Sequence, residues 1–466
     1  MKPLICITAS LAVAIFMSTL DTSIVNVALP LLVHVFDTTF AASQWVILGY
    51  LLSLASAIVG VGRLGDLFGK KQIYMGGLFV FIISSALCGL AWNVHVLIVF
   101  RIMQGLGAAV LMALSFAIAQ DAVPVFHITA VMTVLTSMIS FGFAVGPTLG
   151  GVFIEHFGWA SIFYINVPLG IVSILGIWLY LPETKPAKKV EFDVYGTILL
   201  AITLICYICA MTESETYGFF SRPVYALCVG TLLALFFFIR RERRIGYPLI
   251  QLHVFQDRLL SSSLLTSVLV YANMMCVQLL AAFFLAGVNG FSELQIGMAL
   301  SVGPVFTGTL GYVAGALTKY IAARKIMIAG ILLMVAGNIA MTTLGASQTI
   351  FDFCWRLALI NTGLTFFQTP NNIMVMGNAQ SNQRGVISAL LALGRTLGQI
   401  TGAAVISSLF ALFLISWGYA VIDAPRELLI HSYHLTFYIT AAYMVGTVVI
   451  AYLGIQKISA ERKKMV

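Results

Sequence analysis

The chain has 466 residues, of which 60% are apolar and only 9% charged, with 40 Gly, 32 Phe and a formal net charge of +8. A soluble chain carries roughly 25% charged residues, so a soluble enzyme is excluded. The mean hydropathy of +1.01 describes a protein that uses lipid as its solvent.

A helix needs about 20 apolar residues to cross a hydrocarbon core of about 30 Å, so fourteen spans would take up roughly two thirds of the chain. Little is left for an extramembrane domain. In chain order the predicted spans are 4–33, 44–63, 72–92, 95–117, 128–153, 161–181, 194–212, 222–240, 260–286, 294–318, 325–345, 351–375, 385–415 and 434–455. The first apolar run passes Val27, too long for a signal-peptide core and without a small-residue cleavage site, so it is expected to be retained as span 1.

Cytoplasmic loops are enriched in Lys and Arg. With both termini in the cytoplasm, the basic residues fall on that side, except Arg222 and Arg426 in outer loops and Arg101, Arg356 and Arg395 inside spans. The split supports an even span count in the cell membrane. It also explains the positive charge without nucleic acid, for which a solvated basic domain is expected.

The loop after span 2, GRLGDLFGKK (Gly62 to Lys71), and the loop after span 10, GALTKYIAARK (Gly315 to Lys325), share a Gly-x-Leu opening and a basic close, which suggests an internal repeat. The expected fold is an all-α polytopic membrane protein. Residues 1–185 form one six-helix bundle, 186–258 hold a two-helix insert (spans 7 and 8) and a basic linker, and 259–466 form a second six-helix bundle. Repeats of this kind are a transporter plan.

Almost all acidic residues sit in loops or at helix ends; Asp21 is the exception, well inside span 1. An acid near mid-membrane costs on the order of 2.5–3.5 kcal/mol and is a functional candidate by default. Arg101 in span 4 is its candidate partner, at a depth where the two could meet. Burial favours the neutral acid and a neighbouring guanidinium favours the carboxylate, so a partner that moves would switch the proton affinity of Asp21. Arg356 has Asp352 four residues before it, spacing that favours a local pair. Arg395 has no acid on its own helix; either a backbone-carbonyl anchor or a cavity-facing site fits it.

Span 5 places Gly142, Gly146 and Gly150 four apart beside Pro147 and Gly151, and span 13 repeats the device with Gly394, Gly398 and Gly402. Small residues at that spacing let helices approach closely. Static packing is the plain reading of either face; in a carrier both would also suit helices that slide or rock. Candidate substrate-binding residues are Asn26 in span 1, Tyr271, Asn273 and Gln278 in span 9, Asn361, Phe366, Gln368, Asn371 and Asn372 in span 12, and Arg395 and Gln399 in span 13. Met274, Met275 and Phe367 lie among them and offer adaptable apolar surface. Cys206-x-x-Cys209 has no second ligand pair and no nearby His, so no metal site is expected. Gly105-x-Gly107 lies inside a membrane helix rather than after a strand, and no Walker sequence is present.

LDTSIVNVALP (Leu20 to Pro30), GRLGDLFGKK, RIMQGLGAA (Arg101 to Ala109), GFAVGPTLGG (Gly142 to Gly151) and WASIFYINVPLG (Trp159 to Gly170) resemble, in this order, the motifs of the major facilitator superfamily, and within it the fourteen-helix drug:proton antiporters of QacA/EmrB type. The resemblance implies that Asp21 is the membrane-embedded acid and that Arg101, with Gln104 and Gly105 in the same motif, takes part in proton coupling. It implies that Asp66, among Gly62, Gly69 and Lys70, latches the cytoplasmic side, where it could meet the positive N-terminal end of a helix such as span 13. It implies that Gly142, Gly146, Pro147 and Gly150 belong to the antiporter motif. The pattern departs in the second half. Lys319 stands where the repeat of Asp66 would lie, and Glu293 and Asp352 are only at helix ends, which favours monovalent, neutral or zwitterionic cargo over dications.

The expected function is a non-enzymatic, proton-coupled exporter of amphipathic drugs or toxic organic compounds, a multidrug-resistance activity working by alternating access. It would be a monomer in the lipid bilayer, need no cofactor and draw on the proton gradient. Export of an endogenous metabolite, lipid precursor or amino acid is the alternative, and a non-transporting membrane receptor a more distant one.

Overall fold

A computed structural model describes the chain except residues 1, 184–192, 219–220, 247, 251, 347, 379–383, 420–423 and 466. At Arg63, Asp66 and Arg384, among others, only the backbone is described. The described residues contain no strand. Their helices are α1 (Lys2–Val35), α2 (Phe40–Phe68), α3 (Lys70–Gly89), α4 (Val94–Ala122), α5 (Val125–Phe157), α6 (Ser161–Tyr180), α7 (Val194–Tyr217) and α8 (Arg222–Glu242). The remainder are α9 (Arg258–Gly287), α10 (Glu293–Leu317), α11 (Ala323–Met341), α12 (Ile350–Asn378), α13 (Arg384–Thr401, continued through a π turn at Gly402–Ile406 into Ser407–Ser416) and α14 (Arg426–Met465). Among the described residues, fourteen helices are long and apolar enough to cross a membrane. They follow the predicted spans in order.

The helix ends show why the chain breaks where it does. Thr39, Asn93 and Asp257 cap α2, α4 and α9 by accepting from Ala42, Val96 and Leu259 backbone N–H at 3.1, 2.8 and 2.8 Å. Before α12, Thr349 and Asp352 form a reciprocal capping box: each side chain accepts from the other's backbone N–H. Most helices extend a few residues beyond the predicted spans, and two boundaries are instructive. The expected loop after span 2 is helical up to Phe68, and the chain turns at Gly69 alone, whose φ of 94° only glycine adopts readily. The last helix begins at Arg426, eight residues before the predicted span, because the mixed run RELLIHSY extends the helix ahead of the apolar stretch.

The chain divides into two compact units. The first holds Met1–Ala210, Phe220–Leu249 and Ser292–Ser301; the second holds Met211–Phe219, Ile250–Phe291 and Val302–Val466. In the first, α8 has 17% of its apolar window buried and presents Val229, Leu232, Leu233, Phe236 and Phe237 outward, as a lipid-facing helix does. In the second, α9 has 83% of its window buried and is the innermost helix.

Close backbone approach is concentrated at glycines. In the first unit α5 lies on α1: a Cβ on Gly142 would stand 2.1 Å from Thr19 Oγ1, and one on Gly146 1.9 Å from Ser23 Oγ. In the second unit a Cβ on Gly398 would stand 2.5 Å from the Val268 carbonyl oxygen of α9, and one on Gly402 2.2 Å from that of Ala272. Gly394 is looser, 3.6 Å from Leu264. The pairs α3/α4 and α11/α12 also match. Gly77 meets Gly107 and Gly330 meets Gly363, the eighth residue of one helix against the fourteenth of the next in both units. The internal repeat is therefore carried by packing seams as well as by loop sequences.

The seams divide the motif glycines into packed and open ones. A Cβ on Gly105 would lie 2.4 Å from the Tyr50 carbonyl oxygen, whereas one on Gly62 meets nothing within 4 Å. Gly105→Ala is expected to destabilise by about 1–3 kcal/mol through overpacking, and Gly62→Ala to be neutral or stabilising by up to about 1 kcal/mol. Thermal unfolding of both variants in detergent checks this; equal melting temperatures would contradict the seam.

Candidate functional site

Asp21 is fully buried in α1, and three side-chain donors replace its water. Arg101 Nη1 of α4 donates to Oδ2 at 2.5 Å, while Gln104 Nε2 of α4 and Asn166 Nδ2 of α6 donate to Oδ1 at 2.9 and 3.0 Å. Arg101 is itself 1% exposed. Its Nε donates to the Val46 carbonyl of α2 at 2.9 Å, its Nη1 also reaches Gln104 Oε1 at 2.6 Å, and the Tyr50 ring lies 4.3 Å from the guanidinium carbon. Gln104 Nε2 makes a further bond to Ser85 Oγ of α3 at 2.6 Å. Five helices thus converge on one carboxylate.

The local sequence explains the convergence. Gln104 follows Arg101 by three residues, nearly one turn, so both face Asp21. Gly105 allows α4 to approach α2 closely enough for Arg101 to reach the Val46 carbonyl. A buried ion pair is stable only when its remaining donors and acceptors are also satisfied, and here both partners meet that condition. The expected Asp21–Arg101 partnership forms. Gln104, singled out as a motif residue, turns out to touch the acid directly. Tyr50, Ser85 and Asn166 were missed. The one available signal was for Asn166: an amide in the otherwise apolar run SIFYINVPLG.

The second unit repeats the skeleton of this network without the acid. Asp21 and Asn273 each stand fourteen residues before the end of their helices, at Val35 and Gly287. Ser85 and Asn338 are each the sixteenth residue of theirs. Asn273 Nδ2 donates to Asn338 Oδ1 at 3.0 Å, a neutral bond where the first unit holds a charge. Arg356 of α12 takes the place of Arg101, the seventh residue of its helix against the eighth.

Arg356 corrects the expectation of a side-chain pair with Asp352. The Asp352 carboxylate accepts from Thr349 N and Oγ1 at 3.0 and 2.7 Å, while Arg356 donates to the backbone carbonyls of Asp352 and Ala340 and to Thr343 Oγ1. The capping interaction holds the acid first. Arg356 is a structural anchor saturated by the protein.

Residues 11–403 match the Major Facilitator Superfamily profile. The riboflavin transporter RibZ of Clostridioides difficile is 31% identical over 402 residues, covering 86% of this chain and 87% of that protein. The chain belongs to the Major Facilitator Superfamily. It is a transporter rather than an enzyme, as the motifs implied. The multidrug resistance protein Stp of Mycobacterium tuberculosis is 29% identical over 401 residues, covering 86% of this chain and 74% of Stp. Among solved structures, the POT family transporter PepTSo shares the fold, with a TM-score of 0.72 at 16% identity over 98% of both chains.

The remaining major facilitator positions divide clearly. The Asp66 side chain lies outside the described residues, and so does its expected latch. Lys70 pairs with Asp121 at 2.6 Å near the surface, and Gly69 makes the turn. Beside Pro147, Thr148 N and Oγ1 bond Ser301 Oγ at 3.0 and 2.6 Å, and Gly150 packs on Ile24. Of the substrate candidates, Asn361 is packed under Gly303 and bonded to the Leu357 carbonyl at 3.0 Å. Gln278, Phe366, Gln368 and Gln399 are half-buried. Asn26 is buried with an unpartnered Oδ1. Arg395 lies with its guanidinium carbon 5.4 Å from the Tyr271 ring centroid.

Breaking a buried pair by removing one partner costs about 3–5 kcal/mol. Arg101→Met should therefore lower stability by about that amount, and adding Asp21→Asn should recover at least half, a coupling that a double-mutant cycle in detergent measures. Strictly additive losses would mean that the two groups are independent.

Proposed function

We propose that the chain is a proton-coupled antiporter that exports small amphipathic compounds, drugs among them, by alternating access. It works as a monomer in the cell membrane with both termini in the cytoplasm, without a cofactor, and is driven by the proton gradient. The observation that carries this reading is the Asp21 network. Protonation removes the charge that holds Arg101 and turns one acceptor oxygen into a donor, so a neutral Asp21 is incompatible with its present donor set. Proton binding and rearrangement among α1, α4 and α6 must then occur together, which is the requirement for coupling. The placement of Lys and Arg supports the orientation, and the name of Stp supports drug export.

A second reading, export of an endogenous metabolite, is favoured by the name of RibZ. One experiment tests both. In inverted vesicles under an imposed pH gradient, the wild type should accumulate ethidium, N-phenyl-1-naphthylamine or riboflavin. Accumulation of riboflavin alone would favour the second reading. Asp21→Asn should reduce gradient-driven uptake at least about tenfold while leaving substrate exchange without a gradient in place. Undiminished gradient-driven uptake by this variant would end the proton-coupled reading.

A further inference from the structure

Three arginines lie inside membrane spans, and the protein satisfies two of them. Arg101 has a carboxylate, an amide oxygen and a backbone carbonyl; Arg356 has two backbone carbonyls and a hydroxyl. Arg395 differs. Its Nε is sealed from solvent without a hydrogen-bond partner, and it forms no ion pair among the described residues. No acid occurs in α13 from Arg384 to Ser416. Of the helices packed on that stretch, α9 has none, α12 has only Asp352, held by Thr349, and α14 has Glu427 in its first turn and Glu461 near its C-terminal end. The hydroxyl of Tyr271, a residue 9% exposed, is likewise buried without a partner.

The two side chains adjoin each other. The guanidinium lies by the Tyr271 ring, and the Gly398 and Gly402 contacts press α13 onto α9 at that level. Tyr271 belongs to the innermost helix of its unit, so Arg395 faces protein rather than lipid. On the same face of α9, the next turn supplies Met274 and Met275, flexible apolar surface beside the polar groups. A guanidinium and a phenol hydroxyl both donate hydrogen bonds. Leaving buried donors unmade is unfavourable, and an oxyanion on an amphipathic molecule satisfies both while its apolar part contacts the methionines.

We propose that Arg395 and Tyr271 form an anion subsite that receives the carboxylate or sulfonate of an amphipathic cargo molecule. The proposal deepens the exporter reading and rests on it for the word cargo. A matched pair of dyes tests it: 8-anilino-1-naphthalenesulfonate and N-phenyl-1-naphthylamine share one aromatic skeleton and differ in the sulfonate. With purified full-length protein, the wild type should bind the anion at least about tenfold more tightly than the neutral dye. Arg395→Gln should remove that preference while changing neutral-dye affinity less than about twofold, Arg395→Lys should keep part of it, and Tyr271→Phe should weaken only the anion. These expectations follow from the strength of charge-assisted hydrogen bonds. Unaltered neutral-dye binding shows that a variant is folded, and if Arg395→Gln does not fold, Tyr271→Phe carries the test. Wild-type protein that binds both dyes equally, or neither, overturns the subsite, as does a variant that weakens both alike. Anion-selective binding without gradient-driven transport would remove the exporter reading and leave the subsite in place.

Discussion

A carboxylate inside a bilayer persists only where neighbouring groups replace the water it has lost, and the first unit is organised around that demand. Asp21 supplies the charge; α4 answers with Arg101 and Gln104, and α6 with Asn166. The answering groups need support in turn. Val46 and Tyr50 of α2 hold the guanidinium, and Ser85 of α3 holds Gln104. The network therefore ties five helices to one ionisable oxygen pair. A change at this carboxylate reaches beyond α1, because Arg101 and Gln104 each have a second partner on another helix.

Such a network requires helices closer than ordinary side chains permit. Lipid is as apolar as leucine, so association inside a membrane comes from close packing rather than from the hydrophobic effect. Gly105 brings α4 against α2, Gly107 brings it against α3, and Gly142 and Gly146 bring α5 against α1. Gly330, Gly363, Gly398 and Gly402 do the same in the second unit. The glycines are thus a condition for the polar chemistry.

The two repeats share seams and differ in charge. Where the first unit has Asp21 and Ser85, the second has Asn273 and Asn338, an amide pair that no physiological change of pH alters. Arg356, lacking a buried acid, is anchored on carbonyls and a hydroxyl. The buried Asp21 carboxylate lies in the first unit. The second unit instead contains Arg395, a cation whose surroundings supply an aromatic ring and no acceptor to its Nε.

Scarcity of charge determines a good deal of this protein. Apolar runs are long-range averages, insensitive to how helices rotate or pair, so fourteen spans in order were legible from composition alone. Asp21 and Arg101 were legible because an ion in lipid must find its opposite and the candidates were few. Gln104 was legible only as part of a motif, and Asn166, 145 residues from Asp21, was not legible as its partner. A neutral amide or hydroxyl meets its bonding needs in many places, and which one depends on helix rotation and crossing. Arg356 was misread for the same reason, since spacing offers a nearby acid but does not reveal that capping already engages it. The sequence by itself determined the class, the spans and the charged pair, because burying charge leaves few solutions. The tertiary structure decided which neutral groups complete that pair and which arginine is left unsatisfied, because those choices depend on contacts only packing creates.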